Sequence, residues 1–293
     1  METINVTEII LETINSLFSN LFSSIDNSLY PILDDLTFID TTILNENYLE
    51  NILGSSAQDG ILLLCNSLLI GFILYYSISS FLSHLTLSST QHPLQFIFRL
   101  IIFTILMNCS FFFCEQLISI NSLISSSIRN LGETLFNKNI CFSGLIEELN
   151  STISIGKESL NIFSIDGLIK GFISFGLFNL IFSYSLRYIL LKVFILLSPF
   201  AIITLILDKS AWFFRSWFRS FLSLLFLQDF VSIILLVTFS IDYTNDTLSK
   251  LLYVGSIYTL IKANSFVQQL VGGITANIQN GLHGFKSIFM KGG

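Results

Sequence analysis

The residues whose chemistry is most out of place in this chain are polar groups inside apolar sequence: Glu115, Lys170, Arg187, Lys192, Gln228, Asp229 and Lys262. A charge at the centre of a bilayer costs roughly 2.5–3.5 kcal/mol on insertion scales, so such groups face protein, water or the interface. Asp229 meets this constraint most sharply, because Gln228 is beside it and no further charge follows up to Ile241. It either lines a polar pathway or pairs with Arg187 or Lys192 between helices; the alternatives are a structural ion pair and an interfacial residue. Lys170 and Lys262 are expected to reach toward the interface along their apolar stems.

No set of residues predicts catalysis. The chain lacks a phosphate-cradling Gly-Lys-Ser/Thr loop, a His-Glu-x-x-His pair, a dinucleotide fingerprint and a nucleophile elbow. His84, His92 and His283 have no metal-ligand spacing, and Cys65, Cys109, Cys114 and Cys141 follow no metal or redox pattern. The expectation is a protein with no catalytic step, no cofactor, no metal and no small-molecule substrate. Energy from nucleotide hydrolysis would come from another chain.

The elements that position these residues follow from composition. The 293 residues are 52% hydrophobic and 12% charged, with mean hydropathy +0.75; a soluble domain is about 25% charged. Crossing a hydrocarbon layer of ~30 Å takes roughly 20 helical residues. A membrane β-barrel would alternate polar and apolar residues, whereas the apolar runs here are contiguous. The sequence therefore predicts an all-α polytopic membrane protein with about five net crossings, six being possible. Its expected parts are an acidic segment over 1–59 with an amphipathic helix at Thr3–Ile25, two spans over 60–118 (about 61–83 and 95–118), a large loop over 119–166, a transmembrane core over 167–275 and a tail over 276–293. The core includes further spans at about 220–241 and 251–270.

Gly167–Leu207 is too long for one crossing, and Pro199 lacks the backbone donor that a helix interior needs, so Ser198–Pro199 is the expected kink or break. Beyond it, Trp212, Arg215, Trp217 and Arg219 form an aromatic and basic stretch that suits a membrane-surface elbow. Residues 1–59 contain ten acids and no base, while the connection after Leu207 and the tail are basic. Basic segments favour the cytoplasmic side, which predicts an extracytoplasmic N-terminus and 119–166 loop and a cytoplasmic C-terminus.

Tyr188-Ile-Leu-Leu-Lys-Val-Phe-Ile-Leu-Leu-Ser-Pro-Phe-Ala-Ile202, the Trp212–Arg219 stretch and Phe221-Leu-Ser-Leu-Leu-Phe-Leu-Gln228 resemble TrbL-type inner-membrane proteins of conjugative type IV secretion systems. Leu251–Tyr258 and Gln268–Ile274 look like members from Gram-positive bacteria. The resemblance implies a homo-oligomeric channel subunit whose partners are the lipid bilayer, other secretion-system membrane proteins and their ATPases, with transient contact to a transferred DNA–protein complex. The alternative is a small-solute or ion transporter in which a helix break at Ser198–Pro199 and the intramembrane Asp229 form a midplane site.

Overall fold

The computed structural model describes residues 12–17, 20, 31–44, 47–54, 60–86, 92–152, 165–241 and 247–271. The described residues are helical with no strand, and four of the helices are long and apolar enough to cross a membrane. The chain is an all-α polytopic membrane protein. Most of the expected N-terminal amphipathic helix and the whole tail after 275 lie outside the described residues, although 12–17 are helical.

In chain order the helices are α1 (31–37), α2 (Asn47–Leu53), α3 (Gly60–Thr86), α4 (Pro93–Asn108), α5 (Ser110–Phe136), α6 (Phe142–Thr152), α7 (Ile165–Ile203), α8 (Ala211–Phe239) and α9 (Thr247–Val271). A 3₁₀ turn at Thr41–Leu44 follows α1, and another at Thr204–Ile206 ends α7. The four candidate spans are Gly60–Ser83, Ser110–Phe136, Gly167–Ile206 and Ala211–Phe239. α9 has the length, but Lys262, Asn264, Gln268 and Gln269 dilute its apolar sequence, and it is not among the four.

The bundle core joins α7, α8 and α9. Ile173, Leu177 and Leu180 of α7, Leu227, Val231 and Leu235 of α8, and Ile257, Leu260 and Ala263 of α9 are buried in one cluster. Gly176 lets α7 approach α9 closely: a Cβ there would stand 3.1 Å from Ile257 and 3.2 Å from Ile261. α5 lies along α8, where Asn121 Nδ2 donates to the Leu225 carbonyl at 3.1 Å and the Ser125 and Ser232 hydroxyls share a 2.8 Å hydrogen bond. α3 has the opposite character. Its Leu64, Ile70, Leu74, Ile78 and Phe81 are all exposed, as lipid-facing side chains are.

Three sequence expectations give way. The boundary at 118/119 falls inside a helix, because α5 continues to Phe136, where Asn137 caps it in the left-handed conformation at φ 54°. The second expected span, 95–118, is instead shared by α4 and α5, which meet at Cys109 with the backbone ladder carried through: Cys109 N–H donates to Ile105 and Phe113 N–H to Cys109. Two of the serines in the polar sequence 119–136, Ser126 and Ser127, bond back to the Leu123 carbonyl within the helix.

Of the acidic connection expected to lead into the first span, residues 31–44 pack into the bundle. Leu33 joins the α7–α8–α9 cluster, and Ile39, Ile43 and Leu44 pack with Ile118, Leu191, Ile195 and Phe221. Two of the connection's acids find hydrogen-bond donors. Asp34 accepts hydrogen bonds at the start of α6 from Phe142 N–H (2.7 Å), Ser143 N–H (3.1 Å) and Ser143 Oγ (2.6 Å), where a helix leaves amide donors unpaired. Asp40 accepts from the Thr42 amide and hydroxyl.

Ser198–Pro199 does not break α7 either. The helix runs on through Pro199 to Ile203. Proline cannot donate to the Ile195 carbonyl four residues back, and the Ser198 hydroxyl donates to it instead at 2.7 Å. The chain reverses later, over 207–210, where Ser210 N–H donates to the Leu207 carbonyl and Ser210 Oγ to Thr204.

Candidate functional site

Arg187 lies halfway along the apolar stretch Gly167–Ile206, and Gln228 lies near the middle of α8. A long cation in this position needs acceptors, and the bundle supplies three. Arg187 Nε donates to the Leu224 carbonyl and Nη1 to the Thr37 carbonyl, both at 2.8 Å, while Nη2 lies 3.4 Å from Gln228 Oε1. Gln228 Oε1 also accepts from the Ile39 amide at 3.1 Å. The guanidinium is wholly buried.

These bonds meet a specific backbone need. Thr37 ends α1, so its carbonyl has no partner in its own helix, and residues 38–40 are irregular. A cation at a helix C-terminus is also favoured by the helix dipole. Arg187 and Gln228 thus hold a length of non-helical backbone between the spanning helices. Such backbone is tolerated at membrane depth only where protein buries it or water lines it.

Asp229 joins the node only in part. It feels the Arg187 charge, yet the two form no ion pair, and among the described residues its buried Oδ1 has no hydrogen-bond partner. On the α8 wheel it stands between Leu225 and Ser232, which meet α5, and the exposed Phe226 and Ile233. A buried carboxylate oxygen without a donor is costly.

The structure does not bring Lys192 to Asp229. Its Nζ donates to Tyr48 Oη at 2.7 Å and stands 4.3 Å from the centre of the Tyr188 ring, which ties α2 to α7. Lys170 is buried among the helices, contrary to the expectation that it reaches the interface. Lys262 is partly buried, 5.8 Å from the Tyr258 ring.

The expected elbow is the first part of α8. Trp217 is a core residue: its indole N–H donates to the Phe194 carbonyl at 2.9 Å, and its ring stacks on Phe221. Trp212, Arg215 and Arg219 are exposed around the same helix end, and Arg99 of α4 pairs with Asp208 in the turn before it. The turn at 207–210, rather than Trp212–Arg219, makes the reversal.

Sequence reasoning found Arg187, Gln228 and Asp229 but not Thr37 or Ile39, whose contributions are backbone groups. It also missed Asp34, Asn121, Ser125 and Ser232. The four-residue spacing of Asn121 and Ser125 was a usable signal for the α5 face on α8. Among the described residues no cluster of His, Cys, Asp and Glu is arranged to hold a metal ion. No protein-family profile matches the chain, and neither does any curated protein or solved structure.

Proposed function

We propose that the chain is a non-enzymatic channel subunit of a conjugative type IV secretion system, helping a DNA–protein complex or a protein across the cell membrane. The observation that carries this reading is the irregular backbone at 38–40, held between spanning helices by Arg187 and Gln228. An inserted, hydrogen-bonded segment in a multi-helix bundle suits a wall or constriction of a polar pathway. The resemblance of Tyr188–Ile202, Trp212–Arg219 and Phe221–Gln228 to the TrbL type supplies the system.

In this reading the N-terminus is extracytoplasmic, and the turn at 207–210 with Lys209, Arg215 and Arg219 is cytoplasmic, as the bias of basic residues favours. That end of α8 would meet the ATPases of the system. The chain would assemble as a homo-oligomer with other membrane subunits. The transporter alternative relied on a broken helix at Ser198–Pro199, and α7 is continuous there.

Deletion of the gene in a conjugative host tests the proposal. Transfer should be lost while relaxase nicking of the DNA is intact, because the lesion falls after DNA processing. Undiminished transfer, with no second copy of the gene present, overturns it.

A further inference from the structure

α5 carries a half-buried polar face and an exposed apolar face along the same length of helix. Glu115, Ser119, Ser122, Ser126 and Arg129 recur at three- and four-residue spacings, so they form one stripe along the helix, and all are half-buried. From Glu115 to Arg129 the stripe rises about 21 Å, most of a ~30 Å hydrocarbon layer. Ile120, Ile124 and Leu131 lie on a different face and are exposed. The face that meets α8, with Cys114, Ile118, Asn121 and Ser125, is a third and is buried.

The charges and hydroxyls of this stripe favour water or protein over hydrocarbon, and the described residues cover it only in part. It also borders the inserted segment. Arg129 lies over the Phe38 ring, 4.2 Å from its centre. Phe38 in turn lines a cavity of about 430 Å³ with Asp35, Asp40, Thr42 and Tyr188. The Asp35 and Asp40 carboxylates, the Thr42 hydroxyl and the Tyr188 phenol therefore carry polar groups from α5 across residues 35–42 to α7, interspersed with Leu36, Ile39 and Ile43. α3 shows the contrast, since its exposed surface is apolar nearly all round.

We propose that the Glu115–Arg129 face of α5, with the inserted segment 35–42 beside it, is the wall of a water-filled pathway across the membrane, while Ile120, Ile124 and Leu131 face lipid. This rests on the reading of the chain as a channel subunit and names the surface that hydrated cargo would pass. The wall presents both signs of charge and neutral hydroxyls, which suits passage of a hydrated polymer rather than selective retention of one ion.

The test uses single cysteines at Ser119, Ser122, Ser126, Ile120 and Ile124 in a full-length chain whose four native cysteines are replaced, in intact cell membranes. The probe is a charged, membrane-impermeant methanethiosulfonate. A thiolate is the reacting species, and a thiol facing hydrocarbon loses about tenfold in thiolate for each unit its pKa rises. Ser119→Cys, Ser122→Cys and Ser126→Cys should react at least about tenfold faster than Ile120→Cys and Ile124→Cys. Serine to cysteine is close to isosteric, and rates are compared at equal membrane abundance. Equal rates on both faces overturn the proposal. So does protection of the serine positions accompanied by disulfide formation between copies, which would make the stripe a dry contact with a second copy. Periodic labelling in a chain whose deletion leaves transfer normal would keep the pathway and remove the secretion role; uniform labelling with transfer lost would do the reverse.

Discussion

Arg187 Nη1 donates to the Thr37 carbonyl over 2.8 Å, so a guanidinium at the middle of one spanning stretch closes the C-terminus of a short helix 150 residues earlier in the chain. The same side chain reaches the Leu224 carbonyl and the Gln228 amide oxygen. One residue therefore ties α1 to α7 and α8, and its loss leaves backbone acceptors without donors in a dry setting.

The first prediction separates geometry from charge at this node. Arg187→Lys keeps the charge but cannot reach three divergent acceptors, and each buried group left unpaired costs about 1–3 kcal/mol. Gln228→Leu strands the Ile39 amide at a similar cost, whereas Gln228→Glu keeps an acceptor for both Ile39 and Arg187. Thermal unfolding in detergent should rank the wild type and Gln228→Glu above Gln228→Leu and Arg187→Lys. Equal midpoints for Gln228→Leu and the wild type would remove the node's structural role.

The second concerns Asp34 at the start of α6. Burial pushes its carboxyl above the ordinary range, against hydrogen bonds from Ser143 and Phe142 and the Arg129 charge, which pull it down. A raised folded pKa means that the charged form weakens the fold at neutral pH. The stability it withholds is fully present below the unfolded pKa and is lost as pH rises through the folded one. Asp34→Asn, which cannot titrate, should therefore gain on the wild type as pH rises from 3 to 7. Asp34→Ala should lose about 0.5–2 kcal/mol at every pH, because the cap itself is gone. Melting curves of the three proteins against pH check both statements.

A third prediction tests how α7 passes Pro199. If the Ser198 hydroxyl stands in for the missing amide at the Ile195 carbonyl, Ser198→Ala should cost about 1 kcal/mol. In a Pro199→Ala background the amide is restored, and the same change should cost little. A double-mutant cycle on thermal stability measures the coupling. Equal costs in both backgrounds would show that the hydroxyl does not replace the amide.

What was legible in the sequence follows from which groups carry a signal. Arg187, Gln228 and Asp229 stand out because polar side chains are rare in apolar runs. Their partners do not, because Thr37 and Ile39 act through backbone groups that every residue has. Residues 31–54 misled through their acids: Asp34 bonds to the start of α6 and Asp40 to the nearby Thr42, leaving Leu33, Ile39, Ile43 and Leu44 free to pack. Residues 119–136 misled through serine content, which in a membrane helix can bond backward to carbonyls instead of opening a loop. Pro199 does not bring the expected break, because the rule for proline takes no account of a hydroxyl in the residue before it.

The central structural claim, that residues 31–44 are seated between the spanning helices, has a direct test. Thr42 and Tyr188 line one cavity, so cysteines at both positions fall within reach of a short bifunctional maleimide. With the native cysteines replaced and a protease site placed within 153–164, crosslinking in native membranes should hold the two fragments together after cleavage. A second pair at Phe113 and Phe218, whose rings are 6.4 Å apart, calibrates the yield for contact between α5 and α8. The account predicts efficient Thr42–Tyr188 crosslinking that falls when Gln228→Leu is added. Fragments that separate freely for Thr42–Tyr188 while the Phe113–Phe218 pair holds would contradict it.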